Sequence, residues 1–143
     1  MAENRARDAF IFFVSCKWTK EQAAGIVGNL QAECGQNLAF ERAVGDAGTA
    51  FGLAQWRNER LDKFEEVFGF PLVQGSFEDQ LNYVDWELRN TEKKAGKRLA
   101  KATEAGKAAE IVDQYYERSS GEHRSIRIAN AEKILRLYGK DAE

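Results

Sequence analysis

Glu33 is the residue whose type and position first indicate acid–base chemistry. On a helical wheel with about 100° per residue, Ile26 and Leu30 lie within about 60° of Glu33, which therefore borders an apolar face. Glu33 also lies in the last turn before Gly35, where a helix C-terminus carries partial negative charge. Both features disfavour a second negative charge, so we expect Glu33 to hold a proton near neutral pH, as a general acid must. A partly exposed glutamate at a helix end is the alternative that this geometry leaves open.

Asp46 is the second candidate, and it lies in a glycine-rich stretch between Gly45 and Gly48. Such a loop lets a backbone pass close to a ligand and directs a carboxylate across a cleft. One carboxyl group in apolar surroundings and one on a solvated loop form the arrangement that glycoside hydrolysis uses. Taken alone, however, the run from Gly45 to Gly48 is better explained as a tight turn.

Helices must position these residues, because the chain has one proline and long stretches without helix breakers. Thr19 and Gln22 form a capping-box pattern that begins the helix carrying Glu33, and Gly35 ends it. The glycines that follow predict an ordered loop with, at most, a small β-hairpin. Further helices are expected over about 5–17, 53–68, 76–88, 103–115 and 122–138. Ser76 and Thr103 are the candidate N-caps of the helices that begin at these two residues. These patterns predict an all-α fold.

Length and composition narrow the class of protein. The 143 residues, 43% hydrophobic and 31% charged, are typical of one globular domain over 1–143. The formal net charge of −2 disfavours binding to nucleic acid, whose partners are strongly basic. Two cysteines and one histidine are too few for a disulfide framework or a structural zinc site, and we expect no metal and no cofactor. Whether Cys16 and Cys34 pair stays open.

The sequence also bears on where the chain acts. It has no apolar run long enough to cross a membrane, and no recognisable signal peptide. We therefore expect synthesis in the cytoplasm, no stable membrane insertion, and delivery by another route if the substrate lies outside the membrane. A monomer is the default expectation.

Two stretches of the sequence match a known pattern, namely GIVGNLQAECGQN and AVGDAGTAFGLAQW. They resemble the phage tail lysozyme family, which lies in the lysozyme-like superfamily with goose-type lysozymes and lytic transglycosylases. The helix-ending Glu33, the Gly-Asp-x-Gly-Thr loop and the block of Gly52, Leu53 and Gln55 match in this order. The run from Tyr115 to Arg118 resembles the C-terminal Tyr-Glu-Arg element of the family, so the likeness covers roughly residues 18–138.

The resemblance implies a mostly helical, lysozyme-like fold with a substrate groove and the activity of a muramidase. Such an enzyme cleaves the β-1,4 bond between N-acetylmuramic acid and N-acetylglucosamine in peptidoglycan. By this resemblance Glu33 protonates the glycosidic oxygen, Asp46 acts as base or electrostatic stabiliser, and Thr49 positions a water. Peptidoglycan glycan strands are the expected partner. In one departure, Cys34 replaces the serine that usually follows the catalytic glutamate.

Four further residues are expected to contact substrate by the same resemblance. Gln55 would line the groove near the scissile bond, Trp56 would stack on a sugar, and Tyr116 or Glu117 would reach the site from the C-terminal half. The alternatives are a core position for Trp56 and Tyr116, and a structural ion pair for Glu117 with Arg118.

Three other functions stay open at this stage. A lytic transglycosylase would act on the same bond with Glu33 alone and would close an anhydro ring instead of adding water. A hydrolase with Cys34 as nucleophile and His123 as base would cut peptide or amide bonds, although a helix C-terminus disfavours a thiolate. A protein that binds the cell wall or serves as a scaffold would keep the fold without catalysis.

Overall fold

A computed structural model describes residues 4–38, 44–45 and 50–142 of the chain. Most of the described residues are helical, which confirms the predicted fold class. The helices, in chain order, are α1 (Arg5–Ser15), α2 (Lys20–Cys34), α3 (Glu59–Phe68), α4 (Phe77–Arg89), α5 (Lys93–Leu99), α6 (Ala105–Ile111) and α7 (Arg124–Tyr138). A 3-10 turn covers Leu72–Gln74, and a π-helical segment covers Val112–Glu117.

Helix α2 begins and ends as its sequence predicts. Thr19 Oγ1 accepts a hydrogen bond of 3.1 Å from the Gln22 amide, and Gln22 Oε1 accepts one of 3.0 Å from the Thr19 amide. This reciprocal capping box satisfies two amide groups that a helix N-terminus leaves without partners. At the other end Gly35 adopts a φ of 97°, in the region that glycine enters without steric cost, and the helix stops there.

Helix α2 is the centre of the molecule and packs most extensively against α7 and α6. The approach is close because glycines face both neighbours. A Cβ atom on Gly28 would lie 2.8 Å from the Ala131 amide nitrogen of α7, and one on Gly25 would lie 2.6 Å from Ala108 Cβ of α6. These small residues therefore allow the α7 backbone to contact α2 more than one helical turn before Glu33.

Three two-residue strands form a small antiparallel sheet in the order β1 (Val44–Gly45), β2 (Ala50–Phe51) and β3 (Trp56–Arg57). The pairing of β1 with β2 fits the predicted hairpin. The third strand was not predicted, because residues 53–68 were expected to form one helix. That helix begins only at Glu59.

The reason for the late start of α3 lies in the backbone of the preceding segment. Gly52 has a φ of 86°, and Gln55 and Asn58 have φ values of 52° and 50°, all outside the right-handed helical region. The Leu53 amide donates a 2.9 Å hydrogen bond to Oε1 of the buried Gln80 on α4. A contact distant in sequence thus holds this segment as a turn and strand.

The remaining boundaries follow the predictions with two corrections. Ser76 caps α4 in a capping box with Asp79, as expected. Thr103 does not cap α6, which instead begins after Glu104, and α5 is a separate short helix that the pattern did not reveal. Helix α7 begins at Arg124 and ends at Tyr138, before Gly139.

Apolar side chains of all seven described helices pack into one continuous core. The largest wholly buried side chains are Trp56, Tyr83, Tyr116, Phe10, Phe13, Phe64, Ile26, Leu30, Leu38, Leu53, Leu99 and Ile134. Cys16 and Cys34 are free thiols. Within the described ranges, each helix is too short or too polar to span a lipid bilayer.

Candidate active site

A groove of about 500 Å³ runs past the C-terminal end of α2. Glu33 lies on one side, and Gln55 and Arg57 lie on the side of the small sheet. Glu117 ends the π-helical segment, and Arg118 follows it. The walls are mostly polar and charged, which suits a ligand that carries hydroxyl and amide groups. Three parts of the chain that are far apart in sequence therefore meet at one surface.

Arg127 of α7 fixes the side chain of Glu33. Its Nη2 donates a 2.8 Å hydrogen bond to Glu33 Oε2, and its Nη1 donates a 2.9 Å hydrogen bond to Asn29 Oδ1. Asn29 and Glu33 are four residues apart and thus lie on the same face of α2. The Arg127 side chain is only 4% exposed, whereas that of Glu33 is 21% exposed. Glu33 therefore has a fixed orientation and remains open to the groove.

Asp113 holds Arg127 from the opposite side. Asp113 Oδ1 lies 3.1 Å from Arg127 Nε, and Asp113 Oδ2 accepts a 2.8 Å hydrogen bond from Arg124 Nε. Ser119 also donates its hydroxyl to Asp113. Asp113 is wholly buried, and two arginines of α7 compensate its charge. This arrangement keeps Arg127 at a fixed position behind Glu33.

A second buried ion pair lies below the other side of the groove. Arg60 of α3 donates two hydrogen bonds of 2.9 and 2.8 Å to the two oxygens of Glu87 on α4. The Trp56 indole and the Tyr116 hydroxyl each donate a further hydrogen bond of 2.7 Å to Glu87 Oε1. Four donors thus satisfy a carboxylate with no exposed surface.

The same Arg60 reaches the backbone next to Glu117. Its Nη1 donates a 3.3 Å hydrogen bond to the Tyr116 carbonyl, and its guanidinium lies 4.7 Å from the centroid of the Tyr116 ring. Burial, followed by the charge of Glu87, raises the pKa of the Tyr116 hydroxyl well above its ordinary value. Tyr116 is therefore a neutral hydrogen-bond donor, and its contacts fix the end of the π-helical segment, where Glu117 lies.

Glu117 is another carboxyl group of the groove. The residue is partly exposed, but its Oε2 atom is buried and accepts no hydrogen bond from the described residues. Burial, followed by the negative charge of Glu33, raises the pKa of Glu117 well above its ordinary value, and the charges of Arg60 and Arg127 oppose the shift. Glu117 thus favours its protonated form.

The groove brings together three of the residues predicted from sequence, namely Glu33, Gln55 and Glu117. Gln55 is partly exposed, and its side-chain amide donates a 2.9 Å hydrogen bond to the Gly52 carbonyl, which ties it to the turn before β3. The predicted Asp46 and Thr49 lie outside the described residues. Their roles therefore stay predictions.

Trp56 and Tyr116 require a correction. Both were expected to contact substrate, but both side chains are wholly buried and hydrogen-bonded to Glu87. A ring without exposed surface has no face on which a sugar can stack. The structure therefore gives both residues the core position that had been the alternative.

Sequence reasoning missed the residues that support Glu33, although one signal was present. The apolar stripe of α7 includes Ala131 and Ile134, and one turn earlier the same stripe reaches Arg127. Asn29 likewise interrupts the apolar face of α2. Polar residues at positions that periodicity assigns to the core are buried only with partners, so they are candidates for a site network.

Cys34 is placed poorly for nucleophilic catalysis. Its thiol is buried and donates a 3.3 Å hydrogen bond to the Leu30 carbonyl of its own helix. His123, the base that this alternative requires, is an exposed residue at the start of α7. Within the part of the chain that the structure describes, no cluster of three or more His, Cys, Asp or Glu residues is arranged to hold a metal ion.

Comparison with known protein families gives one match. The phage tail lysozyme family matches residues 4–138, which is nearly the whole chain. No curated protein matches the sequence. The matched range includes all the described residues that line the groove, from Glu33 to Ser119.

Proposed function

Because the chain belongs to the phage tail lysozyme family, we propose that it is a muramidase with Glu33 as its general acid. Membership of the family implies a lysozyme-like function in the degradation of peptidoglycan. The finer proposal is that the enzyme hydrolyses the β-1,4 bond between N-acetylmuramic acid and N-acetylglucosamine. The cell wall is then the place of action.

The observation that carries this proposal is the position of Glu33. It lies at the edge of a polar groove, its orientation is fixed by the buried Arg127, and part of its carboxyl group remains accessible. A general acid must be held within hydrogen-bond distance of the oxygen that it protonates.

The proposed reaction follows from the protonation of the glycosidic oxygen by Glu33. The bond between this oxygen and the anomeric carbon breaks as the proton arrives, and positive charge develops on the sugar ring. A water molecule then adds its oxygen to the anomeric carbon and gives up a proton. We propose Asp46 as the base or electrostatic stabiliser of this step and Thr49 as a residue that positions the water.

Purified peptidoglycan tests the proposal directly. We expect the wild-type protein to clear a suspension of it and to release fragments with new reducing ends, detected by mass spectrometry. Glu33→Gln should fold and lose this activity, whereas Glu122→Gln, which changes an exposed glutamate outside the groove, should keep it. Equal clearing by wild type and Glu33→Gln would contradict the role of Glu33.

The products also separate the muramidase from its alternatives. Anhydro-muramic ends in place of reducing ends would identify a lytic transglycosylase, since that reaction closes a ring instead of adding water. Binding of the wild-type protein to cell walls without release of soluble fragments would identify a wall-binding or scaffold protein.

A further inference from the structure

We infer that a basic groove beside the groove at Glu33 binds the acidic peptide stems of the peptidoglycan strand that the enzyme cleaves. Exposed cations of α5, α6 and the segment between them line this basic groove of about 480 Å³, namely Lys94, Lys97, Arg98, Lys101 and Lys107. In peptidoglycan, short peptides with free carboxylates are attached to the muramic acid residues. The inference rests on the proposed function, because it takes this glycan strand as the substrate bound at Glu33.

The basic groove carries an excess of positive charge that the chain as a whole does not have. The chain contains 21 Lys and Arg and 23 Asp and Glu, yet positions 93–101 contain five cations and no acid. Glu110 is the one acidic residue among those that line the basic groove, and its carboxylate lies 2.9 Å from Lys107 Nζ. The other cations of this groove form no ion pair with the described residues. By contrast, glutamates and arginines line the groove at Glu33 in equal numbers.

The spacing of these cations opposes the stability of α5. Lys93 and Lys97 are four residues apart on this helix, as are Lys94 and Arg98, and like charges at this spacing repel each other. Exposed protein surfaces usually intersperse charges of both signs. The side chains that α5 buries are small or apolar, namely Ala95, Gly96 and Leu99. Packing therefore does not explain the run of cations, whereas an anionic ligand would relieve their repulsion.

One cation of the basic groove is held in place by its neighbours. The Arg98 guanidinium lies 4.4 Å from the centroid of the Tyr115 ring, which belongs to the π-helical segment. Helix α5 itself lies directly against α4, because a Cβ atom on Gly96 would be 1.9 Å from the Leu88 carbonyl oxygen. A guanidinium that is already positioned binds a carboxylate with a smaller loss of side-chain entropy.

A smaller depression of about 290 Å³ connects the basic groove with the groove at Glu33. Arg118 lines both the groove at Glu33 and this depression, and Lys94 and Tyr115 line both the depression and the basic groove. The π-helical segment separates the two grooves, with Glu117 on one side and Tyr115 on the other. A helix with its side chains is about 10 Å wide, and an extended stem of four residues reaches about 13 Å. This arrangement favours a ligand that is covalently attached to the glycan.

Binding of soluble glycan fragments tests the inference, measured with Glu33→Gln so that the fragments are not cleaved. One set of fragments keeps the stem carboxylates, and in the other set these groups are converted to neutral amides. We expect the amidated fragments to bind at least about threefold more weakly, and we expect salt to reduce the difference. Adding Lys94→Gln, Lys97→Gln and Lys101→Gln together should remove most of this preference. A matched control removes three exposed cations outside the basic groove and should retain it, namely Lys133→Gln with Arg136→Gln and Lys140→Gln.

Equal binding of the two sets of fragments would overturn the inference, and so would a preference that the triple lysine variant retains. Binding of a glycerol phosphate polymer to these lysines, with no effect of the stem carboxylates, would assign the basic groove to a phosphodiester polymer instead. Carboxylate-dependent binding by a protein whose wild type releases no fragments would preserve the inference and contradict the muramidase. If the triple lysine variant does not fold, NMR decides the matter, because native fragments should shift the amide signals of α5 and amidated fragments should not.

Discussion

Arg127 and Glu33 are joined by a 2.8 Å hydrogen bond although 94 positions separate them in the sequence. The arginine is nearly wholly buried and contacts Asn29, Glu33 and Asp113, which belong to α2 and the π-helical segment. Helix α7 thus supports the residue proposed as catalytic, which itself lies on α2. The packing of these two helices is consequently a condition for the chemistry as well as for the fold.

Replacing Arg127 tests this support. Arg127→Met leaves Glu33 and the buried Asp113 without their shared cation, and we expect the free energy of unfolding to fall by about 3–5 kcal/mol, with loss of peptidoglycan clearing. Arg127→Lys keeps the charge but cannot contact three acceptors at once, so it should recover only part of both. Urea unfolding and clearing assays check the two variants. A Met variant as stable and active as wild type would contradict the structural role of Arg127.

Gly28 tests the close approach of α2 and α7. A Cβ atom at this position would lie 2.8 Å from the Ala131 nitrogen and 2.9 Å from the Arg127 carbonyl oxygen, so Gly28→Ala must push the α7 backbone away. We expect a loss of about 1–3 kcal/mol in the free energy of unfolding, because overpacking strains a dense interface, and a lower clearing rate.

Gly106→Ala is the matched control for Gly28→Ala. Its Cβ atom would meet only side-chain atoms of Glu132 and Ile128, at 3.2 Å, and these atoms are able to move. Because alanine favours the helical conformation more than glycine, this variant should be near neutral or stabilising. Equal losses in thermal unfolding for the two variants would mean that helix approach at Gly28 is not the cause.

Trp56→Phe distinguishes a core residue from one that stacks on a sugar. The change removes the 2.7 Å hydrogen bond from the indole to the buried Glu87, so we expect stability to fall by about 1.5–3 kcal/mol. The KM for soluble glycan fragments should stay the same, because the ring has no exposed surface. Steady-state kinetics and urea unfolding check the variant. A raised KM with unchanged stability would return Trp56 to the groove.

The sequence predicts well those features that neighbouring residues determine. Helix α2 is defined at both ends by Thr19, Gln22 and Gly35, and the structure shows this capping box and this stop. The segment 53–58 was predicted as helix because its apolar spacing is helical. It is not helical because Gln80, far along the chain on α4, binds the Leu53 amide and stabilises a turn. No local pattern records such a contact.

The residues of the candidate site were likewise predicted only in part. Glu33, Gln55 and Glu117 were identified from motifs that the family resemblance carries, and the groove contains all three. Arg127 and Glu87 were missed. A charged residue is buried only when a partner compensates its charge, and the partners of these two residues are distant in sequence. Trp56 was misassigned because an aromatic residue beside a motif fits both a core and a sugar contact until its burial is known.

The stability of the protein should depend on pH through Glu117. Burial and the charge of Glu33 raise the pKa of this carboxyl group well above its ordinary value of 4.5, so the folded protein binds this proton more tightly than the unfolded chain does. The resulting stabilisation is complete below the unfolded pKa and is lost as the pH rises through the folded pKa. Relative to Glu117→Gln, wild type should therefore become less stable as the pH rises above 4.5.

Urea unfolding of wild type and Glu117→Gln across this pH range measures the difference, in which the contributions of most other titrating groups cancel. Glu122→Gln provides the baseline, because its carboxyl group is exposed. A difference between wild type and Glu117→Gln that stays constant with pH would show that Glu117 has an ordinary pKa in the folded state. A difference that grows toward acid pH would mean that Glu117 is stabilised as a carboxylate, which would contradict its raised pKa.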